Sequence, residues 1–195
     1  MMNALIKTPI DILTWGNHEA DIDHRHVCKH AQNWYKKGRI WINSNMTDHD
    51  AMKYQVPYHV VKVTSPDGSQ ERKIGFVAVM SNDPKLYSQF KKPGAFGGAT
   101  IEDPWECLAK YQKILTEEEG CDIVVPLEHL YVHENEITCE KFDFPVILSG
   151  HDHHRIDTRI NKTRLIKPGM DSVYAAVVEI EWEKGEYYFH NFDTG

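Results

Sequence analysis

The sequence predicts a layered α/β fold in a single domain. Three observations carry that prediction. Stretches with apolar residues at helical spacing alternate with short β-rich runs. Strand-like runs around turn signals follow near the end of the chain. Three strand candidates pass at once into histidine-bearing loops, and ligands of α/β sheets gather outside the carboxyl ends of strands.

Residues 9–15 read as a short strand that ends in the loop Gly16-Asn17-His18-Glu19. Asp23 is placed to cap a helix running to about Lys37, because Val27, Ala31, Trp34 and Tyr35 recur on one helical face. Lys36 and Lys37 suit its last turn, and Gly38 its stop. Residues 39–42 read as the next strand. Residues 58–64 and 72–80 are β-rich runs around Ser65-Pro66-Asp67-Gly68, which predicts a hairpin. Residues 81–100 read as loop, with Gly94, Gly97 and Gly98 in it. Asp103-Pro104 opens a helix in the favoured order of cap then proline. Trp105, Leu108, Tyr111 and Leu115 form its stripe, and Gly120 ends it. Residues 122–127 and 144–148 read as buried strands, each followed directly by polar residues. Tyr174, Ala176, Val178, Ile180 and Trp182 alternate along a late strand, and residues 187–192 pair back after Lys184-Gly185.

Composition narrows the function. The chain of 195 residues is 41% hydrophobic with 12 glycines, an ordinary globular balance that excludes a disordered protein. Its 22 Lys+Arg against 29 Asp+Glu give a net charge of −7, which argues against a nucleic-acid polymer or an anionic membrane as partner. No apolar run approaches the roughly 20 residues of a membrane span, and no secretory segment is legible, so a cytoplasmic protein is expected. Cys28, Cys107, Cys121 and Cys139 lie far apart and read as reduced, mostly buried thiols. Twelve histidines are the compositional outlier.

The chemistry sits in a set of three strand-end loops. Gly16-Asn17-His18-Glu19 follows one strand, His129 a second, and Gly150-His151-Asp152-His153 a third. One amide oxygen with several imidazoles makes a mixed N/O donor set, which suits a hydrolytic divalent metal better than a closed structural zinc. Alternate side chains diverge in such a loop, so His151 and His153 can reach two ions about 4 Å apart, the spacing of two-metal phosphoryl chemistry. Read alone, His24, His26 and His30 are surface residues, Asp48-His49-Asp50 a polar loop, His154 a solvent-facing neighbour, Glu117-Glu118-Glu119 a solvated helix end, and Trp15 and Trp105 core.

These motifs, in this order, resemble the calcineurin-like metallophosphoesterase superfamily, in its 5'-nucleotidase-like branch. Gly16-Asn17-His18-Glu19 matches the family's third motif, Glu128-His129-Leu130 its fourth and Gly150-His151-Asp152-His153 its fifth. Asn17-His18-Glu19-Ala20-Asp21 fits the branch pattern N-H-E-x-D, and Asn43-Ser44-Asn45 resembles its S-A-N segment. The resemblance covers residues 4 to 180 and implies an α/β/β/α sandwich. It also implies a dinuclear centre of divalent ions such as Mn, Zn or Fe. Asn17, His129 and His151 would bind one ion and His153 the other. His18 would serve as general acid and phosphate contact, oriented by Asp21. The implied substrate is a nucleotide or another small phosphoester.

The family's first motifs, D-x-H and G-D-x-x, have no counterpart. The chain has no Gly-Asp dipeptide, and its sole D-x-H, Asp152-His153-His154, lies inside the fifth motif. The expectation is therefore one partial metallophosphoesterase-like domain over residues 1–195. It would lack its first βαβ portion, carry no C-terminal nucleotide-binding domain, and bind one divalent ion weakly and a second hardly at all. Unpaired apolar edges are expected on strands 9–15 and 122–127, and Asp11, Asp23 and Asp48 are candidates to replace the missing ligands. The alternative is a degenerate, catalytically inactive binding module of the same fold.

Overall fold

The computed structural model describes residues 5–183 and 186–190. Strand β1 (Ile12–Thr14) pairs in parallel with β2 (Ile40–Ile42) across helix α1 (His24–Lys36). Asp23 caps α1 by accepting from the Arg25 amide, and Val27, Ala31 and Trp34 are its buried face. Strands β3 (Tyr58–Thr64) and β4 (Glu71–Met80) form the antiparallel hairpin that the turn chemistry predicts. The loop that follows contains the short helix α2 (Pro84–Tyr87).

Helix α3 (Pro104–Lys113) starts at Asp103, whose carboxylate accepts from the Trp105 and Glu106 amides. It runs into a π-helical turn over Ile114–Glu118. Glu117 and Glu118 are exposed, whereas Glu119 accepts from the Tyr58 hydroxyl at 2.9 Å. Next come β5 (Ile123–His129), α4 (Val132–Lys141) and β6 (Val146–Ser149). The antiparallel pair β7 (Arg155–Ile160) and β8 (Thr163–Pro168) follows, then the hairpin β9 (Glu179–Glu183) and β10 (Glu186–His190).

Six strands make the main sheet, in the order β3-β4-β5-β6-β8-β7, with β4, β5, β6 and β8 parallel at its centre. One face is covered by α3 and α4. There Leu108, Tyr111, Leu115 and Cys139 pack on Val77, Val79, Val124, Ile147 and Leu165. The other face carries Ile123, Val125, Val146 and Ile166, against which Val178, Ile180 and Trp182 pack. The pair β1–β2 and helix α1 build a separate core around Trp15, Trp34 and Trp41. The layers are thus helices, sheet, a second and discontinuous β layer, and helix, the α/β/β/α order expected from the sequence. Among the described residues no helix is long and apolar enough to cross a membrane.

Two readings need correction. Residues 173–178 are not strand: Asp171 and Ser172 turn the chain at positive φ, and Tyr174 is exposed with Arg155 over its ring, so β9 begins only at Glu179. The proposed turn Lys184-Gly185 and Phe192 lie outside the described residues. β5 has no free edge, because β4 and β6 flank it. β1 does pair on one side only among the described residues. Helix α4 and the β7–β8 pair carried little apolar signal. α4 buries Glu134, Asn135 and Thr138 rather than an aliphatic stripe, and β7 is mostly exposed. The cysteines are unpaired, with Cys107, Cys121 and Cys139 buried and Cys28 half-buried.

Candidate metal centre

Trp15, 2% exposed, anchors the end of β1 in the tryptophan core. The chain then turns at Gly16, whose amide donates to Glu19 Oε2 at 2.7 Å. That bond closes a 3-10 turn over Asn17–Asp21 and turns the Asn17 amide toward the sheet. β5 ends at His129 and β6 at Ser149, so register places both following loops at the same end.

There three side chains converge. Asn17 Oδ1 lies 2.8 Å from His129 Nε2 and 3.1 Å from His151 Nδ1, and the two imidazole nitrogens are 3.2 Å apart. A triangle of that size has the dimensions of one face of a coordination shell, since metal bonds of about 2.1 Å at right angles give edges of about 3 Å. Burial pushes His129 down to about 3 and His151 downward too, so both rings are neutral with lone pairs to give. The donor set fits a divalent cation.

The loop that delivers His151 is under tension. His151 sits at φ 76°, which a β-substituted residue rarely adopts. Lys167, fully buried on β8, holds that conformation. Its Nζ donates to the carbonyls of Gly150 (2.5 Å) and Leu130 (2.7 Å) and to Asp152 Oδ2 (2.9 Å). One ammonium therefore ties together the loops after β5 and β6. Asp152 stays ionised because Lys167 outweighs the burial that would raise its carboxyl. Behind His129, Glu128 is buried and accepts from Asn135 at 2.6 Å. Burial pushes its carboxyl up to about 8, so it is held neutral. Sequence reasoning passed over Lys167 and Asn135, since a lysine in a β-run and an asparagine in a helix carry no motif.

The other expected residues fall as follows. His18 Nδ1 meets Asp21 Oδ2 at 2.6 Å, one residue past Asn17, with the imidazole 74% exposed to solvent. His153 is exposed and does not join the triangle, and His154 is exposed as well. Asn43-Ser44-Asn45 is buried. Ser44 and Asn45 bond to Ala78 and Met80 of β4, so the segment joins β2 to the main sheet. None of the three candidate replacement carboxylates enters the site. Asp11 is exposed, Asp23 caps α1, and Asp48 accepts from the Thr100 amide. Glu19 and Asp152 are the carboxylates near the triangle: a Cβ on Gly16 would lie 3.2 Å from both Glu19 Oε2 and His129 Nε2, and Asp152 acts on both rings electrostatically.

Below the triangle an apolar cavity of about 590 Å³ opens between β1 and the segment leading into β9. Ile12, Leu13, Leu127, Leu148, Ile166 and Val178 line it. It marks the place where the second β layer is discontinuous.

No protein-family model matches the chain, and no curated protein matches it in sequence. Solved structures do share its fold. A Staphylococcus aureus protein described as a 5'-nucleotidase, in complex with alpha-ketoglutarate, superposes with TM-score 0.78 at 17% identity over 97% of this chain and 38% of its own. The sulfate thiohydrolase SoxB of Thermus thermophilus gives TM-score 0.72 at 16% identity, over 97% and 34%. The NAD nucleotidase of Haemophilus influenzae gives 0.72 at 15%, over 97% and 36%. At such identities the likeness is one of fold, and the chain has the fold of the 5'-nucleotidase-like metallophosphoesterases. It spans a little over a third of the length of these relatives.

Proposed function

We propose that the chain forms the histidine-bearing part of a metal-dependent phosphoester hydrolase acting on a nucleotide or a similar small phosphomonoester. The observation that carries this reading is the triangle of Asn17, His129 and His151 at the carboxyl ends of parallel strands. In this reading those three residues hold one divalent ion, and His153 is a ligand toward a second. A bound ion supplies Lewis acidity at the phosphoryl oxygens. His18, exposed at the mouth and held by Asp21, contacts the phosphoryl group and gives a proton to the leaving oxygen. Lys167 keeps the His151 loop in its unfavourable conformation, so the geometry is set before substrate arrives.

The triangle contains no carboxylate, which leaves cation charge uncompensated and a second ion without a bridge. The apolar cavity beside it is where an extended segment would complete the second β layer. A segment with the D-x-H and G-D-x-x motifs, seated there, would bring Asp side chains to the same end as His129. The lack of a carboxylate is also what favours the second reading, a binding module that keeps one weak ion site and no turnover.

The test compares the 195 residues alone with the same chain joined to any upstream coding segment that carries those motifs. Hydrolysis of AMP and of a chromogenic phosphomonoester is measured with Mn²⁺. The expected result is negligible turnover by the chain alone, and chelator-sensitive turnover, abolished by His151→Ala, once the segment is present. Turnover that survives both chelator and His151→Ala would overturn the hydrolase centre. Its absence in every form would leave the binding module.

A further inference from the structure

A second cluster of ligating atoms lies outside the Asn17 triangle. His24 and Cys28 stand one turn apart on α1, with His24 Nε2 and Cys28 Sγ 3.7 Å apart. His49 comes from the loop before the 3-10 turn Asp50–Tyr54, and its ring centroid is 4.9 Å from that of His24. One donor atom from each of His24, Cys28 and His49 lies within 4.8 Å of the others. The sequence reads His24 as surface and residues 48–50 as a polar loop; Asp48 and Asp50 are indeed exposed, but His24 is half-buried and His49 is 3% exposed and edge-on to Trp15.

The hydrogen bonding around the cluster is unfinished. His24 Nε2 is held by Asp50 Oδ2 at 2.9 Å, which leaves Nδ1 as a bare lone pair in the neutral ring. His49 Nδ1 accepts from the Ala51 amide at 2.9 Å, which leaves a proton on Nε2. Both His24 Nδ1 and His49 Nε2 are buried without a partner. Buried polar atoms of that kind call for an explanation. Asp50 grips the same His24 nitrogen that lies 3.7 Å from Cys28 Sγ, so its carboxylate stands beside the cluster as a further oxygen donor. The cluster borders a cavity of about 640 Å³ lined by His24, Cys28 and Asp50, with Arg25, Lys29 and Lys53 also on its wall and His49 outside its lining.

We propose that His24, Cys28 and His49 form a separate site for one borderline-soft divalent cation such as Zn²⁺, with Asp50 at its rim. Two imidazoles and a thiolate with an open fourth position are a zinc donor set. Binding sends the Cys28 thiol proton to solvent. The His49 ring proton moves from Nε2 to Nδ1, which ends the Ala51 hydrogen bond and loosens the start of the 3-10 turn. The ion would tie α1 to residues 49–54 and brace the wall behind Trp15.

Zinc and cobalt themselves are the probes. Cobalt titration of the whole chain should give a near-ultraviolet thiolate-to-metal absorption at one equivalent. His151→Ala should keep that absorption and Cys28→Ser should lose it. Zinc should slow alkylation of Cys28 in the unmutated protein, by about tenfold at ten times its dissociation constant, with the buried cysteines as internal controls. The Ala51 amide resonance should shift as zinc is added. An unchanged cobalt band in Cys28→Ser, or equal alkylation of Cys28 with and without zinc, would overturn the site. The alkylation arm needs no substitution, so a misfolded variant cannot mask the answer.

Discussion

Lys167 Nζ lies 2.9 Å from Asp152 Oδ2 with no solvent access of its own, and the same ammonium caps the Gly150 and Leu130 carbonyls. A buried charge so fully engaged is costly to interrupt. Lys167→Met should destabilise the protein by about 3–5 kcal/mol, because it leaves Asp152 and two carbonyls without their donor. Urea unfolding measures this. A loss below about 1 kcal/mol would mean that the His151 loop holds its shape without the staple.

Gly16 is a glycine for space, not for backbone freedom, since its φ is −120°. A Cβ there would sit 3.0 Å from His129 Cε1, so the ring would have to give by a few tenths of an ångström. Gly16→Ala should therefore push His129 away from Asn17 and His151 and weaken divalent-ion binding, while the melting temperature moves little. Calorimetric Mn²⁺ titration, with His151→Ala as the reference for a lost ligand, separates this from general damage. Equal affinity in Gly16→Ala and the unmutated chain would refute the triangle as a cation site.

His18 and Asp21 are both exposed and touch neither core nor triangle through a hydrogen bond. In protein with a complete centre, His18→Ala should lower turnover by about 10²–10⁴-fold with metal content unchanged. Asp21→Asn should cost less, because it only orients and polarises the imidazole. If His18→Ala emptied the site of metal, His18 would be a ligand and not an acid.

His59, half-buried on β3 opposite Phe76, has its pKa lowered by burial from the ordinary 6.5. The unfolded chain then takes up a proton near pH 6.5 that the folded chain still refuses. Stability attributable to this group falls as pH drops below about 6.5. Between pH 7 and 5 the melting temperature of the unmutated protein should fall further than that of His59→Gln. Parallel declines would show that His59 titrates alike in both states.

Sequence alone determined the elements whose signals are local. Asp23 and Asp103 cap helices where cap chemistry places them, and the Ser65–Gly68 turn makes a hairpin. The three histidine-bearing loops were legible because each follows an apolar run. Tertiary structure alone decided what those loops do together. Asn17 and His151 are 134 residues apart, and their donor atoms come to 3.1 Å only because β1, outside the main sheet, ends beside the loop after β6 that Lys167 clamps from β8. It also left His153 outside the triangle, half-buried His24 where the sequence read surface, and buried His49 where the sequence read a polar loop. Helix α4 escaped notice because its buried face is Glu134, Asn135 and Thr138, polar groups whose burial is paid for by partners on other elements, such as Ser81 and Ser149. Local patterns carry capping, turns and amphipathicity, whereas a metal triangle and a buried lysine staple exist only once distant strand ends meet.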